Sequence, residues 1–300
     1  MRIAKYLSNK NISEKSFKNA PCCDFICFPL TKLCKKGYSV MNHHKLEQQL
    51  APIIIQGALP VESERMASKL NNVLIETIGG WTFWRGSYQG YPMIISKTRM
   101  GMSNSAAATA IAIERYHPIA IINQGTSGGH DPKLNVYDIV LGKYSINIGA
   151  FKTPSKLVGK GSSTLDWIEA FDVLPEDETD PEPIAIRRFE ADPKLMAAAH
   201  RIQHFYTKGK VVEGTIGSAD VWNSELDRIH FFYNHYGTSV EEMEAASVAQ
   251  IASQFKVPFM SIRVVSNHMV NQGGYDVGTG EACQDFVLQV AEEYMKSQYQ

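Results

Sequence analysis

Ile119-Ala120-Ile121-Ile122-Asn123-Gln124 is a short, branched, apolar run, and it breaks into Gly125-Thr126-Ser127-Gly128-Gly129. A run of this length, rich in β-branched residues and bounded by glycine, reads as a buried strand ending in a turn. The same pattern recurs on either side. Residues 52–59 form another buried apolar run with a glycine at Gly57, and residues 257–265 form a third. Further strands are predicted at 81–88 and 92–98 around the Gln89-Gly90 turn, at 138–148 and at 211–221. Helices are predicted at 62–71, 104–116, 192–206, 224–235, 245–254 and 281–296. Ser103 is the expected N-cap of the second, and His117-Pro118 stops it. In the last, Phe286, Val290 and Tyr294 fall on one face. No internal repeat is visible. Strands alternating with helices imply an α/β fold of three layers, with a mixed, largely parallel central sheet covered on both faces.

Composition narrows the function. The chain has 300 residues, 44% hydrophobic and 20% charged, with a formal charge of -1. That suits one large domain or two small ones. It lacks the basic footprint of a nucleic-acid binder, and no apolar run reaches the roughly 18 residues of a membrane span. Four of the five cysteines, Cys22, Cys23, Cys27 and Cys34, sit near the start, and Cys283 stands apart. His43 and His44 lie nearby, but the spacing is not that of a structural zinc site. The four are read as reduced thiols, and neither a metal nor a cofactor is expected. The first residues carry Arg2 and Lys5 but no apolar core, so they do not read as a secretory signal. Met41 is a sensible alternative start. The expected division is an extension at 1–45 and a domain at 46–300, in a cytoplasmic protein. Residues 151–190, with the acidic run from Pro175 to Pro183, read as a loop or lid.

In such folds ligands bind at the carboxyl ends of strands. Chemistry-bearing residues collect there, at 57–62, 98–101, 125–129, 220–222, 242–244 and 266–267. At Glu242-Met243-Glu244 a strand turns into a helix. A ribose has adjacent hydroxyls and an apolar face, and a carboxylate beside a methionine suits both. The plainer reading is an acidic first turn that favours the helix dipole.

Together these strand ends resemble the purine nucleoside phosphorylase and nucleosidase superfamily, and among its members the 5′-methylthioadenosine/S-adenosylhomocysteine nucleosidases. The resemblance spans about residues 52–296. It rests on Gly57-Ala58-Leu59-Pro60-Val61-Glu62, Thr98-Arg99-Met100-Gly101, Asn123 to Gly129, Ser218-Ala219-Asp220-Val221-Trp222, Glu242-Met243-Glu244-Ala245 and Ser266-Asn267. It implies a homodimeric hydrolase of purine nucleosides, methylthioadenosine-like, in which Glu62 activates water. It further implies that Glu244 binds the ribose hydroxyls, Met243 packs on the sugar, Glu242 supports the site and Trp222 stacks on the purine. Thr98, Arg99, Thr126, Gly128 and Ser266 are implied as further binding residues.

Asn267 departs from the family's Asp, which gives a proton to the purine. An amide donates a hydrogen bond but no proton. Three readings stay open: a preference for 6-oxopurines, as in related phosphorylases with Asn there; slow cleavage of adenine nucleosides, with adjacent His268 as another acid; or binding without turnover, as in related plant storage proteins. Phosphate is the rival nucleophile. Neutral groups at Asn123 and at 57–64 favour water, whereas Arg99 points towards an anion.

Overall fold

A computed structural model describes residues 50–161, 163–170, 172–174, 184–186 and 188–299. The chain divides into two units, Met1–Glu47 and Gln48–Gln300. The described residues belong to the second. The four clustered cysteines and the whole acidic run from Pro175 to Pro183 lie outside the described residues.

Strand β1 (Ile53–Gly57) organises the layers. All five residues are buried, and alternate side chains enter opposite clusters: Ile53 and Ile55 one, Ile54 the other. This is the two-residue period of a strand covered on both faces. After it come α1 (Pro60–Ala67), β2 (Asn71–Ile78), β3 (Trp81–Tyr88), β4 (Tyr91–Lys97), α2 (Met102–Tyr116), β5 (Ala120–Gly129) and β6 (Ile139–Asn147). Short strands follow: β7 (Phe151–Lys152), β8 (Ile168–Glu169), β9 (Asp172–Leu174), β10 (Ile184–Ile186) and β11 (Phe189–Glu190). The chain continues with α3 (Pro193–Ile202), β12 (Val211–Ser218), α4 (Leu226–Tyr236), β13 (Thr238–Glu242), α5 (Ala245–Gln254), β14 (Phe259–Asn267) and α6 (Gly278–Tyr299). Met66 of α1, Leu195 of α3 and Phe286, Val290 and Tyr294 of α6 pack with Ile53 and Ile55. Ala112 and Ile113 of α2 and Val248 of α5 pack with Ile54 and Ile121 on the other side. The three layers and the mixed sheet are those expected.

Parallel pairings join β1 to β4 and β5, β5 to β14, and β12 to β6 and β13. Antiparallel pairings join β13 to β5, β14 to β6 and β11 to β6, and carry the sheet out through β3 to β2. The pairings β5–β14–β6–β12–β13–β5 therefore return to their starting strand, a closure that periodicity does not reveal.

Several expectations are corrected. The glycine-rich segment is not a turn: β5 runs on through Gly129, held by β14 along its length and by β13 at Gly128 and Gly129. The helix expected at 62–71 ends at Ala67, and an exposed strand, β2, follows it. Ser103 lies inside α2, whose N-cap is Gly101. The segment 151–190 is not bare loop, since β7 pairs with β8, β9 with β10 and β11 with the main sheet. The strand predicted at 211–221 stops at Ser218.

Candidate active site

At the carboxyl ends of β1, β5, β13 and β14 the structure forms a cleft of about 750 Å³ including its open mouth. Glu62, Met243 and Asn267, which come from three distant segments, all line it. So do Thr126, Gly128, Trp222, Glu242, Glu244 and Ser266. Thr98 and Arg99 are not among the lining residues. Thr98 is buried, its hydroxyl donates to the Arg99 carbonyl and its N–H to Gly57. Arg99 is exposed and lies against the Gly80 turn. The loop instead supplies Met100 to the lining and the Gly101 N–H to Glu244, at 3.0 Å.

Glu62 sits in the first turn of α1, and its carboxylate accepts four hydrogen bonds. Ala58 and Leu59 donate their N–H groups to Oε2 at 3.1 Å each, and Thr126 donates its N–H and hydroxyl to Oε1 at 2.8 and 2.9 Å. The bond from Leu59 is the helix-end role that a glutamate there fills anyway. The bonds from Thr126 belong to the cleft. The helix is itself pinned: Gln124 donates to the Glu62 carbonyl, and Gln284 of α6 donates to the Val61 carbonyl and accepts from the Met66 N–H. Gly125 leaves room for the carboxylate, because a Cβ there would lie 2.7 Å from Glu62 Oε1.

Beneath the cleft lies Arg263, only 1% exposed, on the buried strand β14. It donates to Glu242 through Nε, at 3.1 Å, and through a terminal nitrogen, which also donates to Asn123. Glu242 additionally accepts from the Ser218 hydroxyl and from the N–H groups of Glu244 and Ala245, which open α5. One carboxylate thus joins β12, β13, β14 and the start of a helix. Every hydrogen bond of this carboxylate goes to a neighbouring part of the fold.

Glu244 lies 3.8 Å from the same guanidinium. Burial, and then the charge of Glu242, push its carboxyl up to about 8, although Arg263 pulls the other way. Arg263 and Gln284 were not singled out from the sequence. A lone charged residue in a strand read as buried was the available signal, since buried charges are paired.

His268 is not placed to serve as an acid. It is buried beside Gly129, with Nε2 2.9 Å from the Asp131 carbonyl and Nδ1 accepting from the Asn271 N–H. Asn267 is half-buried, with Oδ1 accepting from the Ser266 hydroxyl at 3.1 Å. Trp222 stands at the mouth, 73% exposed, rather than inside as a buried platform. Among the described residues no cluster of ligating side chains suits a metal ion.

The model of the phosphorylase superfamily matches residues 52–297. A curated 5′-methylthioadenosine/S-adenosylhomocysteine nucleosidase of Psychromonas ingrahamii is 31% identical over 218 residues, covering 71% of this chain and 84% of that protein. The chain belongs to the phosphorylase superfamily and, within it, to this nucleosidase family. The crystal structure of such a nucleosidase from Colwellia psychrerythraea 34H, in complex with adenine, is 25% identical. It covers 82% of this chain and 96% of that one, with a TM-score of 0.65. The futalosine hydrolase of Helicobacter pylori shares the fold at 19% identity and a TM-score of 0.66, covering 81% and 98%.

Three outcomes follow from this geometry. Gly125→Ala should displace the Glu62 carboxylate and lower kcat by about 100-fold, the usual cost of a catalytic group misplaced by about 1 Å; a variant with full kcat would refute the spacing argument. Arg263→Met should strand Glu242 as a buried charge and cost about 3–5 kcal/mol in urea unfolding. The third concerns pH. Glu244 has a folded-state pKa of about 8, above the ordinary 4.5, so the folded chain keeps a proton that the unfolded chain loses. Its stabilisation is complete below 4.5 and is lost as pH rises through about 8. The Tm of Glu244→Gln relative to the unsubstituted protein should therefore climb over that window and then level off. A flat difference would contradict it.

Proposed function

We propose that this protein hydrolyses the N-glycosidic bond of purine nucleosides of the methylthioadenosine type, with Glu62 as the base that activates water. The observation that carries this is the convergence of Glu62, Met243, Glu244 and Asn267 on one cleft. The named relatives, which are nucleosidases, supply the substrate class.

Cleavage builds positive charge on the sugar and negative charge on the departing base. Glu62, held by donors from two segments, is poised to take a proton from a water attacking the anomeric carbon. Such positioned transfer contributes about 10²–10⁴ in rate. Glu244 faces the ribose hydroxyls and Met243 the apolar side of the sugar. The purine lies towards Asn267, which steadies it by hydrogen bonding.

Water is favoured over phosphate as the nucleophile by the charge of the lining. Glu62, Glu241, Glu242 and Glu244 line the cleft, and among the described residues no Lys or Arg does. Arg263 lies below it, already engaged by Glu242. Arg99, the cation that argued for phosphate, points elsewhere. A phosphate anion entering there would find carboxylates at Glu62 and Glu241 and no free lining cation to offset them, Glu244 holding its proton below about 8. The homodimer stays part of this reading, on the family resemblance and on exposed Met100, Val221 and Trp222 at the mouth.

The test is Glu62→Gln with a purine nucleoside panel, read by free-base release with and without phosphate. The expected result is free ribose product, no dependence on phosphate, and a loss of about 10²–10⁴ in kcat with binding retained. Ribose 1-phosphate as product would establish a phosphorylase. Full activity in the variant would remove Glu62 from the mechanism.

A further inference from the structure

A second polar group lines the cleft away from Glu62, and the mechanism above does not use it. His130 follows the last residue of β5, and Glu241 precedes Glu242 on β13. His130 is 1% exposed, and its Nε2 lies 3.1 Å from Glu241 Oε2. The approach is too oblique for an aligned hydrogen bond, so Nε2 is a buried polar atom in the wall without an aligned partner. The ring is fixed from behind: Nδ1 is 2.7 Å from the Thr238 hydroxyl, and the ring stacks on Phe232 with 5° between planes. These contacts fix the ring plane and leave Nε2 on the side of Glu241.

Glu241 is thereby placed with one oxygen against the ring. Oε2 faces His130 and receives a long contact of 3.5 Å from the Asn223 amide. Oε1 makes no hydrogen bond among the described residues and faces Gly128. A Cβ at Gly128 would lie 3.9 Å from that oxygen and 3.7 Å from Asn267 Nδ2. An acceptor and a donor therefore flank one point of the wall. The Ser266 hydroxyl is shared at 3.1 Å between Asn267 Oδ1 and the Ser127 carbonyl, and the amide NH₂ lies on the Gly128 side. Along β5, Gly128 is two residues beyond Thr126, the partner of Glu62, a separation of about 7 Å. The sugar end and this polar end are thus a purine ring apart.

We propose that Glu241, positioned by His130, reads the base together with Asn267, and that this chain prefers 6-oxopurine nucleosides over 6-aminopurine ones. The inference rests on the nucleosidase reading above and deepens it. A 6-oxopurine presents two acceptors, N7 and O6, and beside them a donor, N1–H. The Asn267 NH₂ meets the acceptors and Glu241 Oε1 accepts from N1–H. A 6-aminopurine reverses both: its amino group faces the amide NH₂, and its unprotonated N1 faces a carboxylate. Buried polar groups left mismatched discriminate far more strongly than missing apolar contact. The departing 6-oxopurine would be stabilised by hydrogen bonds rather than by a proton from position 267, which an amide cannot give.

The experiment compares kcat/KM for 5′-methylthioinosine and 5′-methylthioadenosine, and the binding of free hypoxanthine and adenine by calorimetry, in the full chain, Glu241→Gln and Glu241→Leu. The expected preference for the 6-oxo compounds is about 100-fold or more. It should shrink by about tenfold or more in Glu241→Leu, chiefly through KM, and less in Glu241→Gln, whose amide oxygen still accepts. The conservative variant also guards against a leucine variant that does not fold. A preference for the 6-amino compounds, or a ratio unmoved in both variants, would overturn the role of Glu241 while leaving hydrolysis intact. Absence of base release from either nucleoside would instead defeat the nucleosidase reading, and the hypoxanthine-to-adenine binding ratio would still decide the base preference.

Discussion

The buried pair of Arg263 and Glu242 is the constraint around which the cleft is built. A guanidinium and a carboxylate withdrawn from water cost several kcal/mol each unless their hydrogen bonds are met. Here they are met by Asn123, Ser218 and the first N–H groups of α5. Satisfying these two ions fixes where β5, β12, β13 and β14 end relative to one another. It also sets the entry of α5, and hence the positions of Met243 and Glu244. A pair of this kind is poor evidence for net stability, since apolar replacements often do as well. Its effect here is geometric: it specifies one arrangement of loops that carry little apolar contact of their own.

That arrangement crowds acidic groups together. Glu244 feels both its burial and Glu242, and its raised pKa is the electrostatic signature. A strongly perturbed carboxyl in a concave site is a mark of function. Glu62 adds its own charge to the push on Glu244, yet its carboxylate is cradled by backbone N–H groups of a helix start and by Thr126. The site therefore separates two carboxyl environments, one hydrogen-bonded and anchored, the other desolvated. Such separation lets chemically similar side chains take different parts in one reaction.

Much of the architecture was legible because burial on both faces leaves a plain imprint. The isoleucines of β1 and the apolar face of α6 could only be interior, and α5 was bounded at Ala245 and Gln254. Exposed β2 was missed because Leu74 and Ile75 point no consistent face inward. The glycines of β5 misled, since glycine usually punctuates turns; here Gly125 gives space to Glu62 and Gly129 to the ring of His268. Short motifs located Glu62, Glu244 and Asn267 near strand ends, but they said nothing of where a loop aims its side chains. Thr98 and Arg99 fell in the right loop and face away from the cleft. His130, Glu241 and Arg263 went unremarked because each is meaningful only beside a partner far along the chain.

The closed path β5–β14–β6–β12–β13 carries a consequence for how the family can diversify. A strand hydrogen-bonded along both edges cannot slide by one residue without breaking two ladders at once, and a slip would turn every inward side chain outward. The rim of this ring is therefore a frame of fixed pegs. Single side chains such as those at 130, 241 and 267 can be exchanged there without moving their neighbours, so new ligand preferences arise by substitution on an unchanged lattice.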